Sequence, residues 1–424
     1  MSSPLTAVTG GPLAFAARIF NSNFAQASLT YHALSIASDG CVYYALTSDT
    51  FDQGARMFRY DPLADKITVL AADLTAVVGE KNSVAQGKVH VNFHELNGKL
   101  YFATHLGFYN TLGNGRELQG APPNGVAPYP GGHFLSCDLK SGAFQDLGKP
   151  VPGDGIIAIA LDSARGLLYG LMWPHGELVR YDLATGQVYN FGKTSLDGEA
   201  GIGARYRNLC RSLAIDLPSG SVYLTTSDGS IVCASGNSLS TLPVSLRRDS
   251  LGVIDFTVAG EGGYNWRQTV VPGDGWIYGV HGATGTGLRL NPASQTLEFL
   301  PRFISDSTRR CGVRDLKHKG YLGFKLAPSG KTIFYLTGSH INDTEAAFDV
   351  ENVNLLTIEL DPAVACRDHG SVGFLTGGQP FNINSIAIAA DGTVYAISGL
   401  MDRGTTDLTR KRYDLISFPS GLKP

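Results

Sequence analysis

The segment HALSIASDGCVYYALT at residues 32–47 has the pattern of two paired strands. An apolar stretch leads into a turn closed by Gly40, and a second stretch rich in Tyr and Val follows. The same unit returns six times, as HVNFHELNGKLYFATH (90–105), IAIALDSARGLLYGLMW (157–173), RSLAIDLPSGSVYLTTS (211–227), RQTVVPGDGWIYGVHG (267–282), LGFKLAPSGKTIFYLTG (322–338) and NSIAIAADGTVYAISG (384–399). A third strand follows most units, as in MFRYDPLAD (57–65) and LVRYDLATG (178–186).

Seven such units predict a seven-bladed β-propeller, an all-β fold in which each small sheet buries its faces against its neighbours. The turn glycines of the blades are Gly40, Gly98, Gly166, Gly220, Gly275, Gly330 and Gly392. The last blade has too little chain for its outer strand, and we expect Leu13–Phe20 to supply it and close the ring. We therefore expect residues 1–424 to form a single domain, with two stacked all-β domains as the alternative.

Composition narrows the classes of partner. The chain of 424 residues has 34 Lys and Arg against 37 Asp and Glu, a net charge of −3, which argues against nucleic-acid or membrane partners. The six cysteines are widely spaced and predict reduced thiols. No secretory signal is visible at the N-terminus, so we expect a cytoplasmic protein, or a secreted one numbered from its mature form. The oligomeric state is left open.

Aligning the units on their turn glycines places one column of residues at the start of the innermost strands. The column consists of His32, His90, Ile157, Arg211, Arg267, Leu322 and Asn384. Five of these seven are polar, and in blade two the polarity continues inward through Asn92 and His94. Seven of the ten histidines fall on the same predicted rim: His32, His90, His105, His133, His175, His281 and His340. The two longest interruptions, Leu106–Gly132 and Ser339–Val353, also emerge there, so we expect this rim to carry the site.

These residue types suit proton abstraction beside a carboxylate. Arg211 and Arg267 enter the mouth from adjacent blades and can clamp a carboxylate, which acidifies the neighbouring carbon. A His or Tyr can then remove that proton while a second group protonates the leaving oxygen, which is β-elimination. This chemistry requires no cofactor. A divalent metal held by His90, His105 and His133 is the alternative use of the cluster.

We expect a broader set of rim residues to contact the substrate. Its members are His32, Asn92, His133, Trp173, Tyr264, Trp266, Arg267, His281, His340 and Asn384.

Three motifs resemble a known family: Lys88-Val89-His90, the run from Gly98 to His105, and Tyr129-Pro130-Gly131-Gly132-His133. They are similar to the propeller polysaccharide lyases that cleave ulvan-type, uronate-containing polymers. Leu168-Tyr169-Gly170 and Trp173-Pro174 are also similar, although Trp stands where Tyr is expected. The resemblance covers about a third of the chain, in blades two to four.

The resemblance implies a His/Tyr/Arg set that performs elimination beside a uronate carboxylate. Carried over by position, it makes His90 and His105 catalytic and Arg211 the neutralising group. Tyr206 is the expected catalytic tyrosine, with Tyr264 in reserve. We therefore expect a lyase acting on a uronate-containing saccharide. Two alternatives stay open: a cytoplasmic dehydratase or cyclase of small-molecule biosynthesis that uses the same pocket, and a non-catalytic propeller that binds a glycan or a protein.

Overall fold

The computed structural model describes residues 14–113, 115–247, 251–259, 262–309, 317–320, 322–340, 352–361, 363–381, 383–401 and 412–424. The regular secondary structure of the described residues is almost entirely strand. In chain order they are β1 (Phe15–Ile19), β2 (Ala27–Ser28), β3 (Leu34–Ile36), β4 (Val42–Ser48), β5 (Arg56–Asp61), β6 (Lys66–Ala71), β7 (His94–Leu96), β8 (Lys99–Ala103), β9 (Tyr109–Thr111), β10 (Glu117–Gln119), β11 (Phe134–Asp138), β12 (Phe144–Gly148), β13 (Gly155–Asp162), β14 (Leu167–Trp173), β15 (Glu177–Asp182), β16 (Val188–Lys193), β17 (Ala214–Asp216), β18 (Ser221–Thr225), β19 (Ser230–Ser235), β20 (Ser238–Ser245), β21 (Trp266–Val270), β22 (Ile277–His281), β23 (Thr286–Asn291), β24 (Thr296–Arg302), β25 (Lys317–Lys319), β26 (Phe324–Leu326), β27 (Thr332–His340), β28 (Asn352–Glu359), β29 (Ala365–Phe374), β30 (Gln379–Phe381), β31 (Ala387–Ile388), β32 (Thr393–Met401) and β33 (Arg412–Pro419).

Helical structure in the described residues consists of short pieces: α1 (Leu74–Val77), a helical turn at residues 306–309, and two 3₁₀ turns, Gly198–Ala200 and Gly203–Arg205. No helix in the described part of the chain has the length and apolar character needed to cross a membrane.

The strands form seven antiparallel blades in chain order, as the seven repeats predict, and β1 joins the last two blades into one ten-stranded sheet. Blade one is β2 and β3 beside β4, β5 and β6, and blade two is β7, β8, β11 and β12. Blades three, four and five are β13–β16, β17–β20 and β21–β24. Blade six is β25 and β26 beside β27, β28 and β29, and blade seven is β30 and β31 beside β32 and β33. The chain is a seven-bladed β-propeller.

The N-terminal strand completes the last blade, which confirms the predicted pairing. Arg18 of β1 lies opposite Ser417 of β33 in an antiparallel ladder. β1 also pairs in parallel with β29, with Phe15 opposite Val372, so it bridges blades six and seven. Covering the free edge of β33 in this way removes unpaired backbone groups from solvent.

The blades pack through apolar faces, and burial falls from the inner to the outer strands. All eight residues of β13 in blade three are buried, whereas most of β24 at the outside of blade five is partly or fully exposed. Blades one and seven share one apolar cluster containing Tyr44 and Tyr395. The backbone N–H of His32 in blade one donates to the carbonyl of Asn384 in blade seven at 2.8 Å. The inner ends of the first and last blades therefore meet directly.

The five described cysteines are free thiols, as expected. Four of them are buried, Cys41, Cys137, Cys210 and Cys233, and Cys366 is partly exposed.

Candidate functional site

A cavity of about 90 Å³ opens at the mouth of the propeller, where residues from six blades converge. We call it the mouth cavity, and its lining residues are Tyr31, Lys88, His90, His105, Tyr109, Glu117, Ile157, Trp173, Arg211, Arg267 and Leu322. Five of the seven residues predicted to start the inner strands line it: His90, Ile157, Arg211, Arg267 and Leu322. Alignment on the turn glycines therefore selected residues that the structure places around one cavity. His32 lies deeper, and Asn384 is buried outside the lining.

His90 is held in one tautomer. Its Nδ1 lies 2.9 Å from the carbonyl of Ile157, which can only accept, so Nδ1 carries the proton and Nε2 keeps a lone pair. The ring of Tyr31 stacks on His90 with centroids 4.6 Å apart. Burial, followed by the charges of its neighbours, lowers the pKa of His90 well below its usual value. His90 is therefore a neutral imidazole that can accept a proton.

His105 sits beside His90 against an aromatic wall. The ring centroids of the two histidines are 5.6 Å apart, and Trp173 meets His105 edge-on at 5.3 Å. The buried Nδ1 of His105 has no hydrogen-bond partner among the described residues. A Cβ added at Gly155 would lie 1.8 Å from this atom. Only glycine at 155 leaves room for the observed position of the imidazole.

Lys88 places a buried cation between two tyrosine rings. Its Nζ lies 4.4 Å from the ring centroid of Tyr109 and 5.3 Å from that of Tyr31. Burial lowers the pKa of Lys88 to about 8, against the opposing charges of Glu117 and Asp49. In the sequence, Lys88 stands out only as part of the Lys88-Val89-His90 motif. Its position two residues before His90 on an inward-running segment was the available signal.

Arg211 is fixed by a carboxylate that sequence reasoning missed. Oε1 of Glu199 lies 2.8 Å from Nη1 of Arg211 and also accepts from the backbone N–H of Leu209 at 2.9 Å. Oε2 of Glu199 accepts from Nε1 of Trp173 at 2.7 Å. Burial opposes the charged form, but Glu199 holds the pKa of Arg211 above its usual value. Glu199 thus ties blades three and four together behind the mouth cavity.

Arg267 differs from Arg211 because no hydrogen bond or ion pair joins its guanidinium to another described residue. Burial, with the nearby charge of Arg211, lowers the pKa of Arg267. Taking a guanidinium out of water without an anion is costly. The arrangement favours an anionic ligand at Arg267.

The insertion within blade two, between β8 and β11, supplies the remaining wall. Within the predicted loop Leu106–Gly132, β9 and β10 form a hairpin that carries Tyr109 and Glu117 into the mouth cavity. Burial raises the pKa of Tyr31 to about 12 and that of Tyr109 well above its usual value. Both phenols therefore stay protonated at neutral pH. The second long interruption lies mainly outside the described residues.

Tyr206 and Tyr264 do not line the mouth cavity. The hydroxyl of Tyr206 donates to Oδ1 of Asn208 at 3.2 Å, and that of Tyr264 donates to the carbonyl of Gly252 at 3.0 Å. Both rings are buried in the apolar core. The tyrosines that the structure brings to the mouth cavity are Tyr31 and Tyr109.

Other residues expected to contact substrate are occupied within the fold. His133 lies between Asp146 (2.8 Å) and Glu80 (3.0 Å). Nε1 of Trp266 donates to the carbonyl of Ser212 at 2.9 Å, and His281 bonds to the Gly263 carbonyl and to Thr284. These side chains are buried, and none of them lines the mouth cavity. The side chain of His340 lies outside the described residues.

The proposed metal-ligand set is not assembled. His133 is held by its own two carboxylates, apart from His90 and His105. Among the described residues, no three His, Cys, Asp or Glu side chains are grouped so that they can hold a metal ion. The rim histidine His175 is likewise paired, with Asp154 at 2.8 Å.

Below the mouth cavity, the central channel contains a second cavity of about 230 Å³, which we call the channel cavity. The two cavities share His90 and Arg211. His32 and Asn92, both predicted as substrate contacts, line the channel cavity. The ring of His32 accepts a hydrogen bond from the side-chain amide of Gln268, with 3.0 Å between the nitrogens. Burial lowers the pKa of His32 to about 3.

Comparison with solved structures agrees with the propeller. Virginiamycin B lyase from Staphylococcus aureus aligns with a TM-score of 0.53 at 10% identity, covering 95% of this chain and 98% of that one. The WD40 repeats of RRP9 align with a TM-score of 0.52 at 11% identity, covering 95% and 97%.

No protein-family model matches the chain, and no curated protein matches it. Nothing in these comparisons supports the expected likeness to uronate-cleaving lyases. At such low identity the structural similarity concerns the fold alone. The two proteins above share this fold although their names indicate different functions. The chain is similar in fold to a β-propeller named as a lyase and to one named for its WD40 repeats.

Proposed function

We propose that the protein is a carbon–oxygen lyase that binds a carboxylate in the mouth cavity and eliminates across the adjacent carbon–carbon bond. The observation that carries this proposal is the guanidinium of Arg267, which is half-buried in the mouth cavity and has no hydrogen bond or ion pair with another described residue. Lys88 and Arg211 add two further positive charges, and Glu117 is the one carboxylate among the residues lining this cavity. The excess of buried positive charge favours an anion.

The roles follow from protonation states. Arg267 binds the carboxylate, and Lys88 as a cation stabilises the charge that develops when the neighbouring carbon loses its proton. Nε2 of His90 accepts that proton. An anion beside Lys88 and Arg211 offsets two of the charges that depress the pKa of His90, which makes it a stronger base.

Tyr31 completes the reaction as the acid. The proton leaves carbon for His90, the electron pair forms the double bond, and the carbon–oxygen bond breaks. The phenol of Tyr31 protonates the leaving oxygen, and the proton on His90 then returns to Tyr31 through solvent. The balance requires no oxidant and no added nucleophile.

For the substrate we propose a uronate-containing saccharide, as the motifs in blade two suggest. The dimensions of the cavity favour a second candidate, a dehydratase or cyclase acting on a small hydroxy acid. A volume of about 90 Å³, walled by Tyr31, Tyr109 and Trp173, holds a compact group better than a polymer segment. Both candidates use the same elimination.

The test is a panel of uronate polysaccharides, their oligomers and small β-hydroxy acids. Elimination from uronates creates a conjugated acid that absorbs near about 235 nm. Dehydration of a hydroxy acid is followed by mass spectrometry as loss of one water. Each active substrate is compared with its carboxyl-reduced counterpart, which should be inert. Equal turnover of the reduced counterpart would contradict carboxylate recognition.

A further inference from the structure

The channel cavity has a charge imbalance of its own. The residues that line the channel cavity include two basic side chains, Arg211 and Lys325. None of its described lining residues is Asp or Glu. Arg211 already pairs with Glu199. Lys325 therefore brings an uncompensated charge into the centre of the ring.

Lys325 lies on β26, an inner strand of blade six, and faces two cavities along the channel. No hydrogen bond or ion pair links it to the described residues. Glu95 lines the second of these cavities together with Lys325, but its carboxylate is bonded to the backbone N–H and hydroxyl of Ser38. Lys325 is half-buried, and a cation partly withdrawn from water without an anion is unfavourable unless a ligand supplies one.

A second unsatisfied group lines the same cavity from blade two. Nε2 of His94 is buried without a hydrogen-bond partner among the described residues. His32, His94 and Lys325 all line the channel cavity, so the three side chains surround one space. Asn92 and Thr269 add uncharged polar groups.

We propose that the channel cavity is a binding site for a compact oxyanion, a carboxylate, sulfate or phosphate group, held by Lys325 with His94, Asn92 and Thr269. This site does not depend on the elimination reaction proposed for the mouth cavity. Because His90 and Arg211 border both cavities, the oxyanion has two possible sources. It is either a free inorganic ion or the second acidic group of a ligand that enters through the mouth.

The experiment is isothermal titration of the full-length protein at constant ionic strength with three probes: inorganic phosphate, glucuronate with one carboxylate, and glucarate with two. Each titration is repeated with Lys325→Met and with Lys66→Met, an exposed lysine on the outer strand β6. Loss of a buried charge-assisted contact should weaken binding about tenfold or more. We expect this loss for Lys325→Met and unchanged affinity for Lys66→Met.

The probes separate the two sources. Saturable phosphate binding that depends on Lys325 indicates a free ion, whereas dependence confined to glucarate indicates the second acidic group of one ligand. If no probe loses affinity in Lys325→Met, or if none binds, the proposal is overturned. Removing an uncompensated buried charge should not destabilise the fold, and thermal unfolding checks this. Lys325→Arg, which keeps the charge, should retain binding. Because no turnover is measured, the result is independent of the lyase assay.

Discussion

Oε1 of Glu199 lies 2.8 Å from Nη1 of Arg211, across the junction between blades three and four. The other carboxylate oxygen accepts from the indole N–H of Trp173 at 2.7 Å. One buried carboxylate therefore fixes both the cation and the aromatic wall of the mouth cavity.

Glu199→Gln should destabilise the fold and lower turnover together. The substitution leaves Arg211 buried without its counter-charge, a change that typically costs about 3 kcal/mol of unfolding free energy. Urea unfolding measures the first effect and initial rates measure the second. The matched control is Asp197→Asn, which removes an ion pair with the exposed Arg205 and should leave both quantities nearly unchanged. Equal effects of the two substitutions would refute the role given to Glu199.

Gly155→Ala tests the position of His105. The new methyl group would meet the imidazole, so the ring must move at a cost of about 1–3 kcal/mol in stability. We expect a lower kcat as well, since His105 packs on His90. Gly113→Ala is the control, because a Cβ there meets open space. Wild-type kcat in Gly155→Ala would show that the placement of His105 does not matter to the reaction.

The pH dependence of kcat/KM distinguishes two roles for Lys88. Burial lowers the pKa of Lys88 to about 8, so the side chain is mainly a cation below this pH and mainly neutral above it. Because the proposed role requires the cation, kcat/KM should fall as the pH rises through about 8. Lys88→Arg keeps its charge and should lose this descending limb. A rate that instead increases through the same range would assign Lys88 as the base.

Tyr31→Phe and Tyr206→Phe should differ sharply. Removing the general acid typically lowers kcat about a hundredfold or more, and we expect this for Tyr31. The hydroxyl of Tyr206 is already engaged by Asn208, so Tyr206→Phe should retain most of the activity. A substrate with a nitrophenolate leaving group needs little acid assistance and should restore the rate of Tyr31→Phe. The opposite ranking of the two variants would return the catalytic role to Tyr206.

Most of the fold could be predicted from the repeats, because each repeat has a local pattern of two strands joined by a glycine turn. Turn glycines such as Gly98 adopt positive φ between short strands, so their spacing marks the blades. The closing strand was predictable as well, because blade seven had too little chain for an outer strand. The parallel pairing of β1 with β29 was not predictable, since it depends on how two finished blades meet.

The site was predictable where it follows the inner strands and not where it depends on loops. His90, Arg211 and Arg267 occupy the aligned column and reach the mouth cavity. Tyr109 and Glu117 lie on a hairpin within an insertion, and Glu199 lies on a 3₁₀ turn. None of the three occupies a position of the repeated unit, so aligning the repeats does not find them. The sequence predicts that His133 and His281 lie on the same rim. In the structure their rings instead point toward Asp146 and the Gly263 carbonyl, with which they form hydrogen bonds. The position of a residue along the sequence does not determine the direction in which its side chain points.

The most direct test of the account is the elimination rate of wild-type protein and Arg267→Gln on the best substrate of the carboxylate panel. Arg180→Gln, on β15 and outside the lining of the mouth cavity, is the matched control. Loss of the charge that holds the developing enolate should lower kcat/KM about a hundredfold or more, with wild-type rates for Arg180→Gln. Undiminished elimination by Arg267→Gln would contradict the claim that the mouth cavity binds the carboxylate.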